Sequence, residues 1–247
     1  MSWRTLLHTV TKRRQRLRAW VAASPSTRDP RLIRHQIRRY GLKSVLIKSH
    51  LYDDAFFRAD DQFRCGYVEL ADLIFEWAQP ASAGDFGCGR GFLVEYLARR
   101  GVDVTGIDVS SAVLKFVDPS TRSRIQIRDL TKRQDVGVFD LAVSVEVAEH
   151  LPKRASQTFV QNLTRAAKKN IVFSAAQPGQ WGAGHINCQP QSFWIRLFEQ
   201  EGWRHDESAS ESFCRAVQAS EALGDAAPWL IANFMLFAPG GDWAARQ

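Results

Sequence analysis

The 247 residues are 45% apolar and 24% charged, enough to bury the core of an α/β domain and unlike a disordered tail or a coiled coil. No stretch reaches about 18 uninterrupted apolar residues, which excludes a transmembrane helix; the longest candidate, 229–238, is broken by Asn233. The net charge of +7 divides into a basic arm, residues 1–50 with 13 Lys/Arg against the single acid Asp29, and a mildly acidic body with 20 Lys/Arg against 25 Asp/Glu.

In chain order, the arm opens with Trp3, Leu6, Leu7, Val10, Leu17, Trp20 and Val21 on one helical stripe among arginines, and Ser24-Pro25-Ser26 ends it. A second basic helix is expected over about 29–40, with Gly41 as its stop. The arm admits three readings: contact with an anionic membrane surface through residues 1–22, a grip on RNA phosphates, or docking on its own domain or the second subunit of a homodimer. Helical patterning resumes near Asp53 and runs to Trp77, giving a helical cap over 51–80 whose Tyr52, Phe56, Phe57 and Tyr67 are candidate pocket residues. From Ala81 the rhythm changes. Strands are expected at 82–86, 102–107, 124–128, 138–145, 170–174, 203–205 and 229–237. Helices are expected at 92–100, 111–117, 153–168, from Pro190 to Glu201, and around 211–223. Strands spaced by helices imply βαβ units and one doubly wound domain over 81–240. Cys65, Cys88, Cys188 and Cys214 stand singly, which fits a reducing cytoplasm and neither a disulfide scaffold nor a zinc ribbon. Leu6-Leu7 is followed at once by His8, so a secretory signal is not expected.

The most informative segment is Asp85-Phe86-Gly87-Cys88-Gly89-Arg90-Gly91, between the first strand and a helix. Glycines at alternate positions let the backbone turn tightly and approach a ligand closely, and the following helix directs free N–H groups at it. The second strand ends in Gly106-Ile107-Asp108, where a carboxylate can accept both hydroxyls of a ribose. The spacing is neither G-x-G-x-x-G nor a phosphate-binding G-x-x-x-x-G-K-[ST], which disfavours a dinucleotide or a nucleoside triphosphate.

On these residues the chain resembles the class I S-adenosylmethionine-dependent methyltransferases, from about Asp53 to Phe237. The resemblance implies a Rossmann-like sheet of seven strands with the last antiparallel. It gives Asp85, Gly87, Cys88, Gly89 and Gly91 to the loop around the methionine and ribose of the cofactor. It gives Asp108 to the ribose, Val109 beside it to the cofactor, Asp129 and Leu130 to the adenine, and Glu146 to the border between cofactor and substrate.

The fourth strand runs into Glu146-Val147-Ala148-Glu149-His150. As one helical turn these residues would set Glu146, Glu149 and His150 on a single face. Two carboxylates and an imidazole suit a divalent cation such as Mg2+, and His185, after the fifth strand, opens at the same sheet edge. Glu146, Glu149, His150 and His185 are thus candidate metal ligands. Without metal, His185 or His150 serves as general base beside Glu149. The Glu-x-x-Glu-His run is similar to ubiquinone-pathway O-methyltransferases, and with the later histidine to small-RNA 2′-O-methyltransferases. The loop from Ser174 resembles methyltransferases of polysaccharide and glycoside biosynthesis. Gln177, Gln180 and Asn187 are suited to bond a polyhydroxylated acceptor, and Trp181 to stack on it. The expectation is O-methylation of a hydroxyl on a sugar or glycosylated small molecule. The alternatives are an RNA 2′-O-methyltransferase and a non-catalytic cofactor-binding partner subunit.

Overall fold

The computed structural model describes residues 63–180, 184–224 and 229–241. The basic arm, Tyr52, Phe56, Phe57 and Trp181 lie outside them.

Helix α1 (Arg64–Ala78) buries Gly66, Leu70, Ala71 and Ile74, a stripe at helical spacing, and stops where Gln79 turns left-handed ahead of Pro80. Helix α2 (Phe92–Arg99) packs beside it. Between them Glu95, buried, accepts two bonds from Arg64 at 2.8 and 2.9 Å and one ion pair from Arg99, so its charge is not left alone in the core.

The strands are β1 (Ser82–Phe86), β2 (Asp103–Asp108), β3 (Ile125–Ile127), β4 (Phe139–Val145), β5 (Ala167–Ser174), β6 (Trp203–His205) and β7 (Phe234–Pro239). They form a seven-stranded sheet in the order β3-β2-β1-β4-β5-β7-β6, with β7 antiparallel to both its neighbours. The expected architecture is therefore present. The chain winds outward from β1 in one direction and from β4 in the other. The loops after these two strands part at the sheet's carboxyl edge, where such folds bind ligands.

Both sheet faces are covered, which is why the central strands read as nearly continuous apolar runs. Leu141 and Val143 point to the face covered by α1, α2 and α5 (Glu207–Ala219), against Leu70, Leu97 and Val217. Ala142 and Phe173 point to the other, with Phe159 of α3 (Ser156–Ala166) and Phe198 of α4 (Gln191–Gln200). A four-residue helix α6, Glu221–Gly224, follows α5 and sets Leu223 against Gly66. Among the described residues no helix is long and apolar enough to cross a membrane.

Three segments depart from expectation by more than two residues. Segment 153–168 divides into a 3-10 turn, α3 and the start of β5, because Ala167 already pairs with Phe139. Helix α5 begins at Glu207, not near 211, because the Asp206 carboxylate accepts the Ala209 N–H. The last strand begins at Phe234, not 229. Its expected first residues form a turn closed by Asn233 N–H on the Leu230 carbonyl, and the buried Asn233 side chain bonds elsewhere.

Candidate functional site

The loop after β1 is shaped by its backbone. Gly87 has φ +91°, and a Cβ there would lie 2.4 Å from Val147 Cγ2. Its N–H and that of Cys88 both donate to the Ile107 carbonyl, at 2.7 and 3.0 Å, drawing the loop against the end of β2. Gly89 is also left-handed, at φ +49°, but a Cβ there would meet nothing within 4 Å. Gly87 is thus glycine for packing, while Gly89 faces open space that a side chain would fill.

Asp108, at the end of β2, crosses to this loop. Its Oδ2 accepts the Gly89 N–H at 3.0 Å and its Oδ1 the Ser110 N–H at 2.8 Å. Burial raises its pKa, and the amides of Ser110, Gly89 and Val109 pull it partly back. Asp85 is buried in β1, its pKa pushed up to about 7 by burial first and by the Asp108 charge second. Asp108, by raising the cost of ionising Asp85, makes this end of the sheet a favourable place for a cationic group. The Cys88 thiol is raised by burial and then by the same two acids, so it packs and is not a ready nucleophile. Val109 is 53% exposed beside Asp108. Asp129 accepts the Thr131 N–H at 3.1 Å and pairs with Lys132. The Leu130 side chain lies in the core, and its carbonyl accepts Asn162 Nδ2 at 3.2 Å.

The second group lies after β4. Glu146 is left-handed at φ +55°, and its N–H donates to both the carbonyl and the hydroxyl of Ser174. This break means that residues 146–150 are not one helical turn; only Ala148–His150 forms a 3-10 turn. Glu146 is turned onto Ser174 by this break, while its carboxyl still interacts with that of Glu149. Its Oε1 accepts Ser174 Oγ and Asn233 Nδ2, each at 3.0 Å. Burial raises the Glu146 pKa, and its bonds to Asn233, Ser174 and the Glu149 carboxyl lower it.

Glu149 is fully buried. His150 Nε2 and His185 Nε2 each lie 3.9 Å from its Oε1, and the two rings meet edge-on at 4.9 Å. The Glu149 and Ala176 amides favour its charged form without reaching full hydrogen-bond geometry, while the neighbouring Glu146 carboxyl favours the protonated form. Burial, followed by the Glu146 charge, raises its pKa well above the ordinary value. His185 Nδ1 lies 3.0 Å from the Gln180 carbonyl, which can only accept. Nδ1 therefore carries a proton, and in the neutral ring Nε2 holds the lone pair on the side of Glu149. The loop bearing His185 is stitched to the β4 loop: the Ile186 and Asn187 N–H groups donate to the Glu149 carbonyl at 2.9 and 3.0 Å.

Of the four expected metal ligands, the structure brings together Glu149, His150 and His185, whose donor atoms all lie within 4.8 Å of one another. It leaves out Glu146, whose Oε1 is held by Ser174 and Asn233. The amides expected to face an acceptor are engaged within the protein. Asn187, 1% exposed, donates to the Ala148 carbonyl and Ser156 Oγ. Gln177 donates to the Ala232 carbonyl. Gln180 accepts from Gln177 N–H and Asn233 and donates to the Trp229 carbonyl. Asn233 is the residue sequence reasoning missed, and its only signal was a polar interruption of the apolar run 229–238.

Residues 84–174 match a family model described as a methyltransferase domain. The chain is 37% identical over 149 residues to the ubiquinone biosynthesis O-methyltransferase of Acinetobacter baumannii, covering 54% of this chain and 58% of that one. It is 32% identical over 111 residues to the enzyme of the same name from Psychrobacter arcticus, covering 39% and 42%. The chain thus spans about half the length of the curated relatives it matches. The fold is similar to magnesium protoporphyrin IX methyltransferase from Synechocystis (TM-score 0.54, 17% identity, covering 67% of this chain and 88% of that one). It is likewise similar to a TehB-like S-adenosylmethionine-dependent methyltransferase from Corynebacterium glutamicum (TM-score 0.52, 22% identity, covering 69% and 87%).

Proposed function

We propose that the chain carries a class I S-adenosylmethionine-dependent methyltransferase domain and transfers the donor's methyl group to a hydroxyl oxygen of a small organic acceptor. The matched interval contains the glycine loop, Asp108 and the Glu149–His150 turn. The relatives' names as O-methyltransferases support oxygen as the receiving atom.

The residues present fit the donor. S-adenosylmethionine is a sulfonium cation with an ammonium group, and Asp85 and Asp108 offer the complementary charge. The open face of Gly89 admits its close approach, with Asp108 for the ribose hydroxyls and Asp129 toward the adenine. The observation that carries the acceptor side is the Glu149, His150 and His185 cluster at the same sheet edge. In transfer, the acceptor oxygen forms a bond to the methyl carbon as the carbon–sulfur bond breaks, leaving a neutral thioether. The hydroxyl proton goes to His185 Nε2, and the Gln180 carbonyl steadies the ring through Nδ1. A divalent cation suits the same three side chains, whose donor atoms lie within 4.8 Å of one another; when bound it would lower the pKa of the hydroxyl. A saccharide acceptor would draw no support from Gln177, Gln180 or Asn187, whose amides are already bonded.

The test uses S-adenosylmethionine labelled on its methyl, incubated with the protein and host extract with and without EDTA. Label is expected in the small-molecule fraction. Loss of that label with EDTA would favour the cation, and its survival would favour His185 alone. Label in RNA, or in no fraction, would overturn the reading.

A further inference from the structure

We propose that Asn233 is a positioning residue that locks together the two loops carrying the candidate acceptor machinery. It acts through Gln180 on His185 and through Glu146 on the Glu149 turn. The inference rests on the methyl-transfer reading above, but its first test does not.

Asn233 is fully buried at the end of the turn leading into β7, the one strand that runs against the rest of the sheet beside β5. Its orientation is fixed by its partners. One N–H of Nδ2 donates to Glu146 Oε1 at 3.0 Å, the other to Gln180 Oε1 at 2.9 Å. Glu146 presents a carboxylate oxygen. The Gln180 atom is its oxygen, because it also accepts the Gln177 N–H at 2.8 Å. Both Asn233 donors are therefore used, in a place where a lost partner would be costly.

The two residues it bonds belong to different loops. Glu146 follows β4, three residues before Glu149. Gln180 follows β5, and its backbone carbonyl is the acceptor for His185 Nδ1. The Gln180 side chain is anchored at both ends, its oxygen by Asn233 and Gln177 and its nitrogen on the Trp229 carbonyl at 3.3 Å. That anchoring aims the carbonyl, and the carbonyl sets which ring nitrogen of His185 carries the proton. A polar residue inside an otherwise apolar run thus ties the β4 loop to the β5 loop at the point where both contribute to one cluster. Held geometry of this kind, with the supporting groups themselves hydrogen-bonded, is what a site needs to keep its reacting groups aligned.

The experiment records long-range 1H–15N spectra of the histidine rings at about pH 8.5, where imidazole is ordinarily neutral, in wild type and in Asn233→Leu. The His185 signals are assigned by their loss in His185→Asn. Wild type is expected to show His185 protonated at Nδ1. Asn233→Leu, which keeps the branching at Cγ and removes both donors, is expected to retain a cooperative melting transition and to show His185 shifted toward the Nε2–H form or averaging between the two. Gln180→Ala should give the same signature. An unchanged His185 signature in both variants overturns the proposal.

The second readout is methyl transfer into the small-molecule fraction of host extract. Asn233→Leu is expected to lower turnover by about 10²-fold with donor affinity unchanged. Asn233→Leu/His185→Ala should be slower than His185→Ala alone by far less than 10²-fold, since the path through His185 is already lost and only that through Glu146 remains. A further, additive loss in the double variant would show that Asn233 acts elsewhere. Absence of transfer by wild type would count against the methyl-transfer reading, while the ring signature would still decide this one.

Discussion

The donor side and the acceptor side of the sheet edge are built in different ways. The donor side is held mainly by main chain: left-handed glycines, amides turned onto the Ile107 carbonyl, and a carboxylate bridging two N–H groups within 20 residues of sequence. The acceptor side is held by bonds between distant segments. His185 approaches Glu149 because Ile186 and Asn187 bond its carbonyl, and Gln180 is fixed by Asn233 and Trp229. A backbone-built site is robust to most side-chain changes and sensitive at its glycines. A site assembled from three loops should fail at whichever residue joins them.

The largest effect expected on the donor side is electrostatic. The Asp85 pKa rises from 3.8 to about 7 on folding. Between those values the folded state holds a proton that the unfolded state has released, so the group's contribution is fully present below about pH 4 and is lost as pH rises through about 7. The upper limit is on the order of 4 kcal/mol. Denaturant titrations across that range should show stability falling with pH, and Asp85→Asn should flatten the slope. Donor affinity should run the other way, strengthening as Asp85 ionises to meet a cation. An unchanged pH slope in Asp85→Asn would separate this carboxyl from the effect.

Next comes Gly87→Ala, whose methyl would strike Val147 Cγ2 in a left-handed backbone. A stability loss of about 3 kcal/mol is expected by thermal melting, with loss of donor binding by calorimetry. On the acceptor side, Asn187→Ala removes two buried donors that hold the His185 loop to Ala148 and Ser156. The expected cost is about 2 kcal/mol in denaturant melts, with turnover lowered and donor affinity unchanged. The smallest effect on stability is expected at Gly89→Ala, about 1 kcal/mol for the left-handed backbone, because no atom stands in the way. Its donor affinity should nevertheless fall steeply, since the new methyl enters the space the donor requires. Equal stability losses at Gly87 and Gly89 would erase the distinction between the packing glycine and the ligand-facing one.

The same contrast explains what could be read from the sequence. The alternation of strands and helices, the glycine loop and Asp108 are local patterns; the structure builds the sheet from the first and places the other two at its carboxyl edge. The approach of His185 to Glu149 was legible because loops after neighbouring strands open on one side. The helical turn expected over 146–150 failed because left-handed Glu146 turns onto Ser174, 28 residues away, and no local propensity reports such a bond. The amides of Gln177, Gln180 and Asn187 suggest an acceptor in the sequence, while the structure bonds their nitrogens within the protein. Amides in a loop suggest a ligand until the backbone carbonyls that occupy them are seen, and those come from segments as far apart as 148 and 232. Asn233 broke an apolar run without showing what it bonded. Only the pairing of β7 with β5 brings it beside Glu146.

The most direct test of the account compares His185→Ala with wild type in two quantities: S-adenosylmethionine affinity by calorimetry, and transfer of labelled methyl into the small-molecule fraction of host extract. The account expects affinity within about twofold, because the donor side is built from other residues, and transfer reduced by roughly 10²- to 10⁴-fold, as for loss of a general base. Full transfer with unchanged affinity would contradict it and remove His185 from the chemistry.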